Sequence, residues 1–222
     1  MNNEVIKLKP NAVWTHFEML NEIPRGSKKE ERVIAFMKSF GEGLGLDTSV
    51  DETGNVLIRK PASKGFENRK GVVLQSHLDM VHQKNSDSDF DFDTQGIQTY
   101  IDGEWVKAKG TTLGADNGMG VAAIMSILAD NTIEHGPLEA FFTIDEETGM
   151  TGAFGLKGGL LEGDILLNLD SEDEGELYIG CAGGEDSTIS DRYEPTSIPS
   201  GHSALKVALR GLKGGHSGMD II

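Results

Sequence analysis

The sequence predicts an α/β fold, a mostly parallel central sheet flanked by helices, with the start of a second, smaller domain behind it. Three observations lead there. Gly71-Val-Val-Leu-Gln-Ser-His-Leu-Asp-Met-Val81 is a short apolar run that stops at a histidine and an aspartate, and Leu138-Glu-Ala-Phe-Phe-Thr-Ile144 and Asp164-Ile-Leu-Leu-Asn-Leu169 are two more such runs, each followed by acids. Short apolar runs bounded by polar residues read as fully buried strands of a parallel sheet. Between the first two, the glycine-rich Thr111-Thr-Leu-Gly-Ala-Asp-Asn-Gly-Met-Gly120 opens onto an apolar helix from Val121 to Leu128. Strands alternating with helices imply crossover connections, hence parallel neighbours.

The other elements follow in order. Val13, Phe17 and Leu20 recur at helical spacing over residues 10–21, and Pro24-Arg-Gly26 ends that run. Ser27-Lys-Lys-Glu30 has the form of a capping box, ahead of a helix whose broad apolar face is Val33, Ile34, Phe36, Met37 and Phe40, closed by Gly41, Gly43 and Gly45. Residues 47–59 alternate around Thr53-Gly-Asn55 and predict two strands or a hairpin. A polar loop from Lys60 to Lys70 leads into the first core strand. The acid-rich passage from Asp87 to Asp93 lacks the central glycine and terminal glutamate of a calcium loop and reads as solvated. Residues 97–108 predict a hairpin turned at Asp102-Gly103, expected to prop the rim beside Asp116. Beyond Glu185 the character changes: residues 187–192 and 203–210 read as strands, and a glycine-rich loop at 211–218 leads toward a helix. The expected division is therefore one domain over 1–185 and the incomplete beginning of another over 186–222.

Twenty basic against 36 acidic side chains leave a formal charge of −16. Nucleic acid and anionic membrane are polyanions that need Lys/Arg patches, so neither is expected as a partner. The single cysteine, Cys181, has no internal disulfide partner and reads as packing material, and the opening residues lack the apolar core of a signal peptide. A reducing, cytoplasmic setting is the simple expectation.

Strand polarity gives the polar residues a common address, because reacting groups collect at the carboxyl ends of parallel strands. His77 and Asp79 point the same way from an extended segment, and a histidine that binds metal usually donates its other ring N–H to a carboxylate. Asp116 projects from the glycine-rich turn, either as a carboxylate able to bridge two ions or as an N-cap of the following helix. Glu146 and Glu147 are adjacent, so in an extended segment one faces a metal while the other stands over a water as base; the plainer alternative is a solvated acid cluster. Asp170 completes one imidazole and two carboxylates with His77 and Asp116, a nitrogen and oxygen set that suits zinc, and also manganese or cobalt. Two such ions about 3.5–4 Å apart would supply both an acidified water and a charge acceptor for amide hydrolysis.

Five motifs occur in order: Ser76-His-Leu-Asp79, Gly114-Ala-Asp-Asn-Gly118, Asp145-Glu-Glu-Thr-Gly149, Leu169-Asp-Ser-Glu172 and Gly214-Gly-His-Ser-Gly218. Together they resemble the co-catalytic zinc peptidases that include carnosinase, tripeptidase T and carboxypeptidase G. The resemblance implies that His77, Asp116 and Asp170 hold one metal and Asp116 and Glu147 the other. It further implies that Glu146 is the general base, that Asp79 orients His77, and that His216 reaches a substrate across a homodimer formed by a small α+β lid domain. The implied reaction is metal-dependent hydrolysis of dipeptides, those ending in histidine first among them. Related deacylases and other peptidases of the superfamily are the alternative, and a non-catalytic metal-binding module is the reading outside enzymes. The family's second metal takes one more histidine, near the end of a chain about twice this long, so these 222 residues look like an amino-terminal portion, impaired or inactive alone.

Overall fold

The computed structural model describes all residues except Glu172, Cys181, Ala182, 184–186 and 212–222. Cys181, His216 and the Gly214–Gly218 motif thus lie outside the described residues. The chain separates into two units, residues 1–178 and 179–222.

Among the described residues, every helix and strand lies in the first unit. A short 3₁₀ turn at Val5–Lys7 precedes α1 (Asn11–Asn21) and α2 (Glu31–Gly43); β1 (Asp47–Val50) and β2 (Val56–Lys60) follow as an antiparallel hairpin. Then come β3 (Val72–His77), the hairpin β4 (Thr99–Asp102) and β5 (Trp105–Ala108), α3 (Ala115–Ala129), β6 (Leu138–Thr143), two single turns α4 (Glu146–Gly149) and α5 (Thr151–Phe154), and β7 (Ile165–Asn168). The main sheet has the order β1-β2-β6-β3-β7. Both β6 and β7 pair parallel to β3, whereas β2 is antiparallel to β6 and to β1. Four of the five strands therefore run one way, which makes the expected α/β sheet mostly parallel with a single reversed strand.

Packing explains the order. All six residues of β6 are buried, as the central strand of a five-stranded sheet must be. On one face Val56 and Ile58, Leu74, and Ala140 and Phe142 share a core with Phe17 and Leu20 of α1, Met37 of α2, and Ile124 and Met125 of α3. Each of the larger of these side chains, Val, Leu, Ile, Phe or Met, contributes about 1.5–3 kcal/mol when fully withdrawn from water. On the other face Leu57, Val73 and Phe141 meet Leu156, Leu160 and Leu161 from the passage between α5 and β7. Glu139 is buried on β6 and is compensated by Arg59 Nε (3.2 Å) and by the backbone N–H groups of Glu162 (2.7 Å) and Gly163 (2.8 Å).

Four local expectations are corrected. β7 forms where the apolar run predicts, but its residues are exposed, Leu166 by 56%. Among the described residues it is the edge of the sheet and pairs on one side only, so its apolar composition does not by itself produce burial. The β4–β5 hairpin turns at Gly103-Glu104, one residue later than expected, since Asp102 pairs with Trp105. Its hydrogen bonds tie it to the amino-terminal region rather than to the rim: Asn2 Nδ2 donates to Thr99 O (2.7 Å) and Thr99 Oγ1 to Glu18 Oε1. Ser27 makes no capping bond to α2, because its hydroxyl is used elsewhere. In the second unit no strand forms over 187–192 or 203–210 among the described residues. Ile189, Leu205, Val207 and Leu209 are 81–95% exposed there, as alternating segments are when no neighbouring strand or helix is available to cover them.

Lys60 opens a loop in the sequence pattern but ends β2 in the structure, buried. Its Nζ donates to the carbonyl oxygens of Ile127 (3.2 Å), Leu128 (3.0 Å) and Asp130 (2.7 Å) at the end of α3, where intrahelical donors run out. Lys60→Met keeps the aliphatic stem and orphans these oxygens; an unfolding free energy lower by about 1–3 kcal/mol is expected in urea titrations.

Candidate metal centre

The site is built at the carboxyl end of β3. His77 is the last residue of the strand and is buried, and the chain then turns so that Asp79, also buried, faces the ring. His77 Nδ1 donates to Asp79 Oδ1 (3.2 Å). The same carboxylate accepts Ser27 Oγ (2.7 Å) and the backbone N–H groups of Glu146 (3.0 Å) and Glu147 (3.2 Å). Burial alone would push Asp79 up, but the bonds from His77, Ser27 and the Glu146 N–H outweigh it and hold the carboxyl at about 2.

With Nδ1 committed to Asp79, the other ring nitrogen of His77 looks onto the rim. Nε2 lies 3.0 Å from Asp116 Oδ1 and 3.6 Å from Asp170 Oδ1. Burial opposes a charged ring, yet hydrogen bonds to Asp116 and Asp79 more than offset it and raise His77 to about 10.

Asp116 reaches this position through an irregular helix start. Gly114 has φ +73°, a left-handed conformation that favours glycine, and Asp116 (φ −80°, ψ 113°) and Asn117 (φ −103°, ψ 28°) are not yet helical. The peptide between them is cis. No side chain caps the helix at this start, and the Asp116 carboxylate is turned to His77 instead. Asn117 Nδ2 meanwhile donates to Leu169 O (2.7 Å) and to Asp170 Oδ1, which holds Asp170 against the start of α3.

Glu146 and Glu147 begin α4, a turn of helix, and not the extended segment that alternation suggested. Their N–H groups are the donors a helix start leaves unpaired, and Asp79 satisfies both. Asp145, with φ +52°, precedes them; its N–H donates to Glu30 Oε1 (3.0 Å) and its carboxylate takes the hydroxyls of Thr148 and Thr151. Burial, then the charge of Asp116, pushes Glu147 up to about 7. Burial likewise raises Glu146 and carries Asp170 to about 6.

Two ligand-sized sets result, His77 with Asp116 and Asp170, and His77 with Glu146 and Glu147, the donor atoms of each lying within 4.8 Å of one another. The expected pairing of Asp116 with Glu147 falls in neither set among the described residues; His77 is the member common to both. Imidazole nitrogen with carboxylate oxygens is a donor set that fits zinc, manganese or cobalt. Crowded carboxyls held above their ordinary range are also what a divalent cation would relieve. Sequence patterns gave no sign of the roles of Arg25, Ser27 and Asn117. Pro24-Arg-Gly26 reads there only as a helix stop, and Ser27 only as a cap.

Gly120 sets how closely α3 approaches this rim. A Cβ there would stand 2.5 Å from Asn117 Oδ1, 2.5 Å from Ser76 Oγ and 2.7 Å from Leu169 O. Overpacking of this kind costs about 1–3 kcal/mol, more than the ~1 kcal/mol a helical Gly→Ala exchange gains by propensity. Gly120→Ala is therefore expected to lower the denaturation midpoint, and a raised midpoint would contradict this packing.

Comparison with known proteins agrees with the geometry. Residues 73–203 match the family model described as peptidase family M20/M25/M40. The chain is 52% identical over 219 residues to the cytosol non-specific dipeptidase of Escherichia coli (strain K12), covering 99% of this chain and 45% of that protein. It is 30% identical over 178 residues to peptidase T of Ligilactobacillus salivarius (strain UCC118), covering 65% and 43%. The crystal structure of the aminoacylhistidine dipeptidase from Vibrio alginolyticus superposes with a TM-score of 0.79 at 56% identity, over 81% of this chain and 37% of that one. The chain thus spans under half the length of these relatives. Fold and relatives agree with the resemblance read from the five motifs, and the chain belongs to peptidase family M20/M25/M40.

Proposed function

We propose that the full-length protein of which these residues are part is a metal-dependent dipeptidase, with dipeptides ending in histidine among its substrates. The observation that supports this best is convergence: an imidazole and four carboxylates from the ends of β3, β6 and β7 and the start of α3 meet at one rim. The names of the E. coli and V. alginolyticus relatives support the substrate class. The E. coli name also supports a cytosolic location.

The residues proposed to hold the metal are His77, Asp116, Glu147 and Asp170; that Asp116 would be the carboxylate shared by two ions rests on the family resemblance alone, since His77 is the member common to the two sets. When bound, two divalent ions, zinc first and manganese or cobalt by the same donor chemistry, supply Lewis acidity to the attacking water and the scissile carbonyl. Asp79 fixes the His77 ring with Nε2 outward, by accepting from Nδ1. Glu146 takes a proton from the attacking water and returns it to the leaving amine nitrogen as the C–N bond breaks. Its carboxyl, raised by burial, suits both halves of that transfer. Its backbone is fixed by Asp79 while its side chain stays only half buried, so the base is anchored without being sealed off.

His216 is assigned to stabilising charge on the carbonyl oxygen from a partner subunit by family resemblance alone. On the same ground residues 1–185 are the amino-terminal part of the catalytic domain and 186–222 the beginning of a lid through which the protein forms a homodimer. The 222-residue polypeptide by itself is then expected to turn over poorly.

The test is histidine release from alanyl-histidine and β-alanyl-histidine by the full-length protein, with and without chelator. Glu146→Gln is expected to lower kcat by about 10²–10⁴-fold while metal content stays unchanged. Cleavage of N-acyl amino acids in preference to dipeptides would move the assignment to a deacylase. Undiminished turnover in Glu146→Gln would remove Glu146 as the base.

A further inference from the structure

We infer that residues 25–30 form a clamp that sets the relative positions of three of the four ligand-bearing segments, those of His77, Asp116 and Glu147, with Arg25 as the positioning residue at its centre. The inference deepens the dipeptidase reading and rests on its ligand assignment.

Arg25 is 1% exposed, the largest fully buried side chain described. Its Nη1 donates to Leu78 O (3.0 Å) and Asp79 O (3.2 Å), and its Nη2 donates to Gly114 O (2.6 Å). Leu78 lies between His77 and Asp79, and Gly114 lies two residues before Asp116. One guanidinium therefore joins the loop that carries the imidazole to the loop that carries the shared carboxylate. The neighbouring residues extend the grip. Arg25 O accepts Met80 N (3.1 Å), Gly26 forms a parallel bridge with Met80, Ser27 Oγ donates to Asp79 Oδ2 (2.7 Å), and Glu30 Oε1 accepts the N–H of Asp145, the residue before Glu146.

The surroundings are shaped to admit the guanidinium. A Cβ on Gly114 would stand 2.5 Å from Arg25 Nη2, and one on Gly118 2.6 Å from the same atom. Both glycines of the Gly114–Gly118 motif thus make room for Arg25, apart from any role in turning the chain. A buried charge is tolerated only when paired and hydrogen-bonded. Here the carbonyls supply the bonds, and the carboxylates of Asp79, Asp116 and Glu147 supply opposite charge. Lysine would keep the charge and lose the geometry, because an ammonium is a point donor and cannot span two loops as a planar fork does.

That difference separates a clamp from a simple counter-charge. In the full-length protein, Arg25→Lys is expected to weaken zinc binding, measured by chelator competition, by about 10–100-fold. It should also alter the visible absorption of the cobalt(II)-loaded protein. Ser27→Ala removes one bond to the carboxylate that holds Glu146 and Glu147. It is expected to lower kcat about tenfold in protein that remains folded at the assay temperature, and Ser27→Thr, which keeps the hydroxyl, is expected to restore it. Should Arg25→Lys fail to fold, the Ser27 pair decides. Folded Arg25→Lys with wild-type zinc affinity and cobalt spectrum, or Ser27→Ala with wild-type kcat, overturns the clamp while a metal-loaded, dipeptide-cleaving wild type leaves the dipeptidase reading standing. A wild-type protein that takes up no metal overturns both.

Discussion

The Asp79 carboxylate has no exposed surface, yet four donors from three distant parts of the chain end on its two oxygens. An ionised carboxylate so placed is favourable only while all four are present, since an unpaired buried charge is costly. Satisfying it fixes the His77 tautomer, the start of α4 and the position of Ser27 at the same time. The parallel pairing of β3 with β6 sets this up: it brings His77 level with Thr143, three residues before Glu146, so the ends of both strands reach the same rim.

Electrostatics at that rim are arranged in layers. Beneath lies Arg25, a fixed cation; above it is Asp79, held well below its ordinary range; at the surface are Glu146, Glu147 and Asp170, all raised. Burial is the leading cause of each upward shift, while the number of hydrogen bonds decides why Asp79 moves the other way. Carboxyls of one chemical type thereby acquire different proton affinities around a single histidine, as a site that binds cations and also moves a proton requires.

Close backbone approach is the second constraint. Gly114, Gly118 and Gly120 each stand where a single added carbon would collide with Arg25, Phe17 or Asn117. The glycine-rich entry to α3 serves less to loosen the chain than to let the helix, the buried arginine and the end of β7 occupy adjacent space.

The sequence by itself determined the strands of the core and the order of their acidic ends, because short apolar runs have few other ways to be buried and because strand polarity gathers their carboxyl ends. His77, Asp79 and the later acids were legible as candidates for the same reason, and Asp116 from its place in the glycine-rich turn ahead of α3. Burial of β7 was not, since an apolar run records what a strand prefers and not what lies beside it. Nor was the use of Ser27, which has the spacing of a cap but spends its hydroxyl on a carboxylate 52 residues away. Glu146 and Glu147 follow the strand, yet Asp79 draws their N–H groups into a helical turn. Only the tertiary structure decided that Arg25 lies under the site, because its partners stand 53 to 89 residues further along the chain and local periodicity carries no information at that range.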